Sequence, residues 1–143
     1  MEMSTYIHYG SNHFDTTRFR PVLNTSCFNK PIGGLWASRQ DTEFGWKEWC
    51  LQEVFKTDCL KKHFSFVLKP SAKVLIIKDT DDLKELPRIC DDSFWVCLDF
   101  EQLAKHYDAI ELKLSNCPDL YFALLGWDCD SLLVMNPDMI KVI

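Results

Sequence analysis

The stretch Gly33-Gly34-Leu35-Trp36-Ala37-Ser38-Arg39, running on into Asp41-Thr42-Glu43-Phe44-Gly45-Trp46-Lys47-Glu48-Trp49-Cys50, decides how the rest of the chain is read. Two adjacent glycines give a backbone that other groups approach closely, because no Cβ stands in the way. Leu35-Trp36-Ala37-Ser38 predicts a short strand, with Leu35 and Ala37 on one face and Trp36 and Ser38 on the other. Beyond it, Trp46, Trp49-Cys50 and Glu53-Val54 stand at helical spacing and predict an amphipathic helix over 43–56. Its apolar stripe faces inward, and Lys47, Glu48 and Gln52 face out. A glycine pair, a strand with an aromatic and a hydroxyl on one face, and a Trp-bearing helix make a wall suited to a flat ligand. Burial in an ordinary core is the commoner fate of any single tryptophan, and both readings stand at this point.

Length and composition bound the answer. A chain of 143 residues is the length of one domain, 1–143, and buries roughly two thirds of its unfolded surface. Hydrophobic residues at 47% and charged residues at 26% are ordinary for a globular protein. The formal charge of −5 argues against tight, sequence-independent nucleic-acid binding, which needs a basic face, and leaves a nucleic acid as a transient substrate open. No run of eighteen apolar residues exists, so no membrane helix is expected. Tyr6, His8, Tyr9 and Asn12 fall where a signal peptide needs an apolar block, and a cytoplasmic protein is expected.

The seven cysteines, Cys27, Cys50, Cys59, Cys90, Cys97, Cys117 and Cys129, include no Cys-x-x-Cys pair. Their odd number leaves at least one thiol free, and their spacing matches no common zinc site. Cys59 and His63 share a helical spacing, but two ligands do not make a metal centre. All seven read as reduced and mostly buried small hydrophobes. Cys50 as a nucleophile beside a histidine would make a cysteine hydrolase, without any adjacent signature in its favour.

Taken in order, residues 3–10 predict a first strand, and 14–19 a helical turn capped by Asp15 or Thr16. Residues 22–34 carry Asn24, Ser26, Asn29, Pro31, Gly33 and Gly34 and predict an irregular loop. Two strands follow at 63–68 and 72–78; alternation is clear in the first and nearly lost in the second, which predicts deeper burial of the second. Asp79-Thr80-Asp81-Asp82 caps a short helix over 83–86, and a longer helix begins at Asp99. A strand at 108–112, an apolar stretch at 120–125 readable as helix or strand, a strand at 131–135, a turn at Asn136-Pro137 and a last extended piece complete the order. The fold class is α+β, with two small sheets rather than a regular βαβ alternation.

Three pieces together resemble the ADP-ribosyltransferase superfamily, in its diphtheria-toxin and poly(ADP-ribose) polymerase branch. They are the opening Tyr6-Ile7-His8-Tyr9-Gly10-Ser11, the Gly33-Gly34-Leu35-Trp36-Ala37-Ser38 strand, and the closing Leu132-Leu133-Val134-Met135-Asn136-Pro137-Asp138-Met139-Ile140. Their order spans nearly the whole chain. The resemblance implies small, mainly antiparallel sheets with flanking helices around an NAD cleft, with NAD as substrate. It implies that His8 hydrogen-bonds the adenosine-side ribose, that the backbone of Gly10 holds the carboxamide, that Trp36 or Tyr9 stacks on the nicotinamide, and that Ser38 binds its amide. Arg39 would meet the pyrophosphate, and Glu43 would approach the mouth of the site.

The chemistry explains the residue types. Breaking the nicotinamide–ribose bond develops oxocarbenium character on the ribose, which calls for oriented hydroxyls and nearby negative charge. The sequence departs from the pattern in two places. Tyr9 separates His8 from Gly10, and Ser131 stands where the family's last-strand glutamate is expected. Asp130 is adjacent, although strict alternation turns it to the opposite face unless a bulge intervenes; Asp128 shares its parity. Asp130 is taken as the acid, with a degenerate centre that binds a nucleotide or protein partner as the alternative. The resemblance further implies a macromolecular acceptor and a toxin or phage–host conflict setting, with an antitoxin or host protein as neutralising partner.

Overall fold

The computed structural model describes residues 4–25, 30–91, 96–114, 117–124 and 127–143. Within them lie the strands β1 (Tyr6–Tyr9), β2 (Leu35–Arg39), β3 (His63–Leu68), β4 (Val74–Ile77), β5 (Arg88–Asp91), β6 (Val96–Leu98), β7 (Ala109–Leu112), β8 (Ser131–Val134) and β9 (Ile140–Val142). The helices are α1 (Trp46–Glu53), α2 (Phe100–Leu103) and α3 (Pro118–Ala123). Seven strands form one sheet in the order β4-β7-β8-β2-β1-β3-β9, antiparallel throughout except for the parallel pair β4 and β7. β5 and β6 form a separate antiparallel ribbon that the sequence pattern does not reveal. The α+β class holds, whereas the two small sheets expected are one large sheet plus this ribbon.

Alternation along the strands divides the apolar residues between two cores, one on each face. Ile110, Leu112 and Leu133 face a core shared with Phe100, Leu103, Leu120 and Trp127. Ala37, Ala109, Leu132 and Val134 face the other, with Tyr6, Phe64 and Phe66. β4 corrects an expectation. It is a sheet edge, and Ile76 stands 45% exposed, so its lost alternation reflects an apolar residue on the open side rather than deeper burial.

The helices are shorter than their patterns suggest. α1 runs over 46–53 rather than 43–56: Gly45 is its N-cap with an extended backbone, and 41–44 are not helical. The helix expected over 83–86 is a 3-10 turn at Thr80–Leu83, since Asp79 caps it directly through a reciprocal box with Asp82. The ambiguous stretch near 120 becomes α3, opened by Pro118 at its first turn. Asp15 caps the Thr16–Arg18 turn, as its position predicts.

Gly33 and Gly34 have φ of 81° and 69°, left-handed values that suit glycine. What approaches them closely is the protein itself. A Cβ on Gly33 would lie 2.2 Å from the Pro21 carbonyl oxygen, and one on Gly34 would lie 2.6 Å from Leu133 Cδ1. The pair packs the loop before β2 against the sheet rather than opening a wall to a ligand.

Candidate functional site

The site begins where β1 and β2 part. Their pairing covers only Tyr6 with Arg39 and Ile7 with Ser38, while β2 pairs through Leu35, Trp36 and Ala37 with β8. The Trp36 carbonyl is met instead by a side chain: His8 Nδ1 lies 2.6 Å from it. A carbonyl oxygen only accepts, so Nδ1 carries the proton and a neutral ring keeps its lone pair on Nε2. Burial lowers the His8 pKa below its ordinary 6.5, against the opposing effect of the Trp36 bond, so the neutral form dominates at physiological pH.

At this parting lies a cavity of about 360 Å³. Its walls include His8, Tyr9, Trp36, Trp46 and Trp127, with Lys30, Asp128 and Ser131 among the polar groups. Trp36 meets Trp127 edge-on with ring centroids 4.8 Å apart, and Trp127 stacks on Phe100 at 6.1 Å. Trp127 is therefore a core residue that stiffens Trp36 from behind. Trp46 stacks on Trp49 at 5.2 Å, and both meet Phe55 edge-on; of the three, only Trp46 lines the cavity. Both readings of the tryptophans apply, to different residues.

The structure sorts the residues singled out in the sequence. His8, Tyr9, Trp36 and Ser131 line the cavity. Ser38 is buried, donates to the Asp130 carbonyl (3.1 Å) and accepts from the Trp46 amide (3.0 Å). It ties β2 to α1 and to the segment entering β8. Gly10, at φ 115°, commits its amide to the Lys62 carbonyl at 2.8 Å. Arg39 forms a two-pronged ion pair with Glu111, Nε to Oε2 at 2.5 Å and Nη2 to Oε1 at 2.9 Å. Tyr6 donates to the same carboxylate at 3.3 Å, and burial with the Glu111 charge pushes its phenol up to about 12. Glu43 is exposed and outside the cavity lining. Arg39 and Tyr9 also border a second, more polar hollow of about 380 Å³ beside Lys47, Glu48 and His63.

Asp130 turns away from the cavity. Its carboxylate accepts from the Leu114 amide at 2.6 Å and from the Thr42 hydroxyl at 3.3 Å, and it is outside the cavity lining. Asp128 is the one carboxylate among the described residues lining the cavity. Residues 127–130 precede the strand and follow no period-two rule, which is why Asp128 reaches the cavity although its parity is that of Asp130. Burial raises the Asp128 carboxyl above its ordinary value, opposed by the positive charge of Lys30 and reinforced by Glu53. The Ser131 hydroxyl donates to the Cys129 carbonyl at 2.8 Å.

Lys30 and Lys56 line the cavity without having been singled out in the sequence; Lys30 stands in an irregular loop with no periodic neighbours. Cys59 also lines the cavity, and its helical relation to His63 does not arise, because a 3-10 turn ends at Lys61 and His63 opens β3. No group of three metal-ligating side chains occurs among the described residues. Cys50, Cys59, Cys117 and Cys129 are free thiols, and Cys27 and the side chain of Cys90 lie outside the described residues. Burial lifts Cys129 to about 11 and raises Cys50 as well, so neither is a thiolate at neutral pH. Among the described residues no helix is long and apolar enough to cross a membrane. Comparison of the chain with protein-family models, curated proteins and solved structures finds no match.

Proposed function

We propose that the chain binds NAD in the cavity between β1, β2 and β8 and breaks its nicotinamide–ribose bond, passing ADP-ribose to a protein or nucleic-acid target. One observation carries this reading. The three stretches that resemble the transferase motifs are far apart in sequence, yet their strands are neighbours in the order β8-β2-β1 around one aromatic-walled cavity. Trp36 offers an indole held by Trp127 for the nicotinamide ring. His8 Nε2, fixed as an acceptor, suits a ribose hydroxyl. Asp128 supplies the negative charge that an oxocarbenium-like ribose needs, in the role the sequence pattern assigned to Asp130. As the bond from the ribose C1′ to the ring nitrogen breaks, its electron pair leaves with nicotinamide, and a nucleophile of the acceptor adds to C1′.

A second reading keeps the binding and removes the turnover. It is favoured by Ser131, which opens β8 with a hydroxyl spent on the Cys129 carbonyl instead of a carboxylate. The same cavity would then hold a nucleotide or a segment of a protein partner. Either reading fits a toxin or phage–host conflict factor with a neutralising partner. Nicotinamide release from NAD, with cell extract supplied as acceptor, separates them. The transferase reading expects release by the wild type and at least hundredfold loss in Asp128→Asn, beyond any weakening of NAD binding in that variant. NAD binding without release supports the binding module.

A further inference from the structure

We infer that the indole walls and Asp128 of the cavity favour a positively charged flat ring, and that Lys30 is their internal competitor, masking that preference while it occupies the place the ring's charge takes. The Lys30 ammonium sits 4.8 Å from the Trp36 ring centroid and 5.7 Å from that of Trp46. Both indoles belong to the cavity wall, as does Asp128, whose carboxylate feels the Lys30 charge. An indole face attracts a cation through its quadrupole, more strongly where water is excluded. Two such faces and one carboxylate thus accept a cation at the place of Lys30, while Lys56, the other lysine of the lining, stands 5.3 Å from the Phe55 ring centroid.

The occupant now is a side chain of the same protein, half-buried, from the loop before β2. A neutral ring entering the cavity loses the indole–ammonium attraction and replaces it only by stacking. A cationic ring replaces both the stacking and the charge, and it inherits Asp128. Lys30 therefore lowers the affinity for every flat ring and, by its like charge, most of all for cationic ones. Removing that charge exposes the underlying preference. The identification of the ring as the pyridinium of NAD rests on the proposed function, whereas the charge preference does not.

The test uses 1-methylnicotinamide, a permanent pyridinium, and nicotinamide, its neutral counterpart. Each is titrated by quenching of tryptophan fluorescence into the wild type, Lys30→Met and Lys30→Ala. Methionine keeps most of the chain and removes the charge; alanine also empties the space, and thermal unfolding verifies that both variants fold. The ratio of cation to neutral affinity is expected to rise roughly tenfold in Lys30→Met, the scale of a partly desolvated cation–indole contact. Lys30→Ala should tighten both rings and keep the raised ratio. A ratio that is unchanged or falls in both variants overturns the inference, as does failure of the cation to bind any of the three proteins. Nicotinamide release from NAD, followed on the same proteins, keeps the two claims apart. An unchanged ratio with continued release sinks only the inference, and a raised ratio without NAD binding sinks only the NAD reading.

Discussion

At the scale of single residues, the decisive question is which polar groups are free for a ligand and which are spent on the fold. Arg39 is spent. Its partner Glu111 has a side chain 5% exposed, against 31% for Arg39 itself, so the two losses are unequal. Arg39→Ala leaves a carboxylate that cannot reach water and should cost about 3 kcal/mol, whereas Glu111→Gln leaves an arginine that can turn outward and should cost less. Urea denaturation of the two variants checks the order, and a larger loss in Glu111→Gln would contradict it. His8 makes the corresponding prediction in pH. Its folded pKa lies below the 6.5 of an unfolded chain, so the unfolded state takes up the proton first. The stability it contributes is therefore complete above pH 6.5 and falls as the pH drops from there toward the folded value. His8→Asn, which keeps an N–H for the Trp36 carbonyl, should flatten that part of the stability–pH curve. An unchanged slope would show that another group titrates there.

At the scale of elements, the end of α1 carries a local conflict. Val54 takes the left-handed position after the helix, φ 52° and ψ 47°, where a glycine is usual and a β-branched residue is strained. It is 82% exposed, so its side chain contributes no packing in return. Val54→Gly should raise stability by about 1 kcal/mol, while Val54→Ala, which retains a Cβ, should gain little. Equal gains in the two variants would mean that strain is not the cause. The same helix shows what its sequence concealed. The Trp46, Trp49 and Cys50 spacing gave the helix and its face, but only Cys50 is buried: Trp46 borders the cavity and stacks on Trp49 instead of entering a core. Strand positions 35–38, 63–68 and 131–134 were legible from alternation and from the turn residues beside them. The β5–β6 ribbon and the edge position of β4 were not, since apolar runs carry no record of their neighbours.

At the scale of the whole molecule, sheet order turns three separated stretches into one site. His8, Trp36 and Ser131 were singled out in the sequence and share a cavity because β1, β2 and β8 are neighbours and β1 leaves β2 after two residue pairs. Ser38, Gly10 and Asp130 were singled out with them and prove to hold the frame of that cavity through backbone partners. Motif positions report which residues lie near a site; whether a hydroxyl or carboxylate is already satisfied depends on segments far away, such as Leu114 for Asp130. The central claim is that this cavity takes NAD through the Trp36 ring. A calorimetric titration of NAD into the wild type and into Trp36→Leu, which keeps an apolar side chain against Trp127, tests it most directly. The account predicts saturable binding of one NAD per chain, weakened about tenfold in the variant. Absence of binding by the folded wild type, or equal affinity in the two proteins, would contradict it.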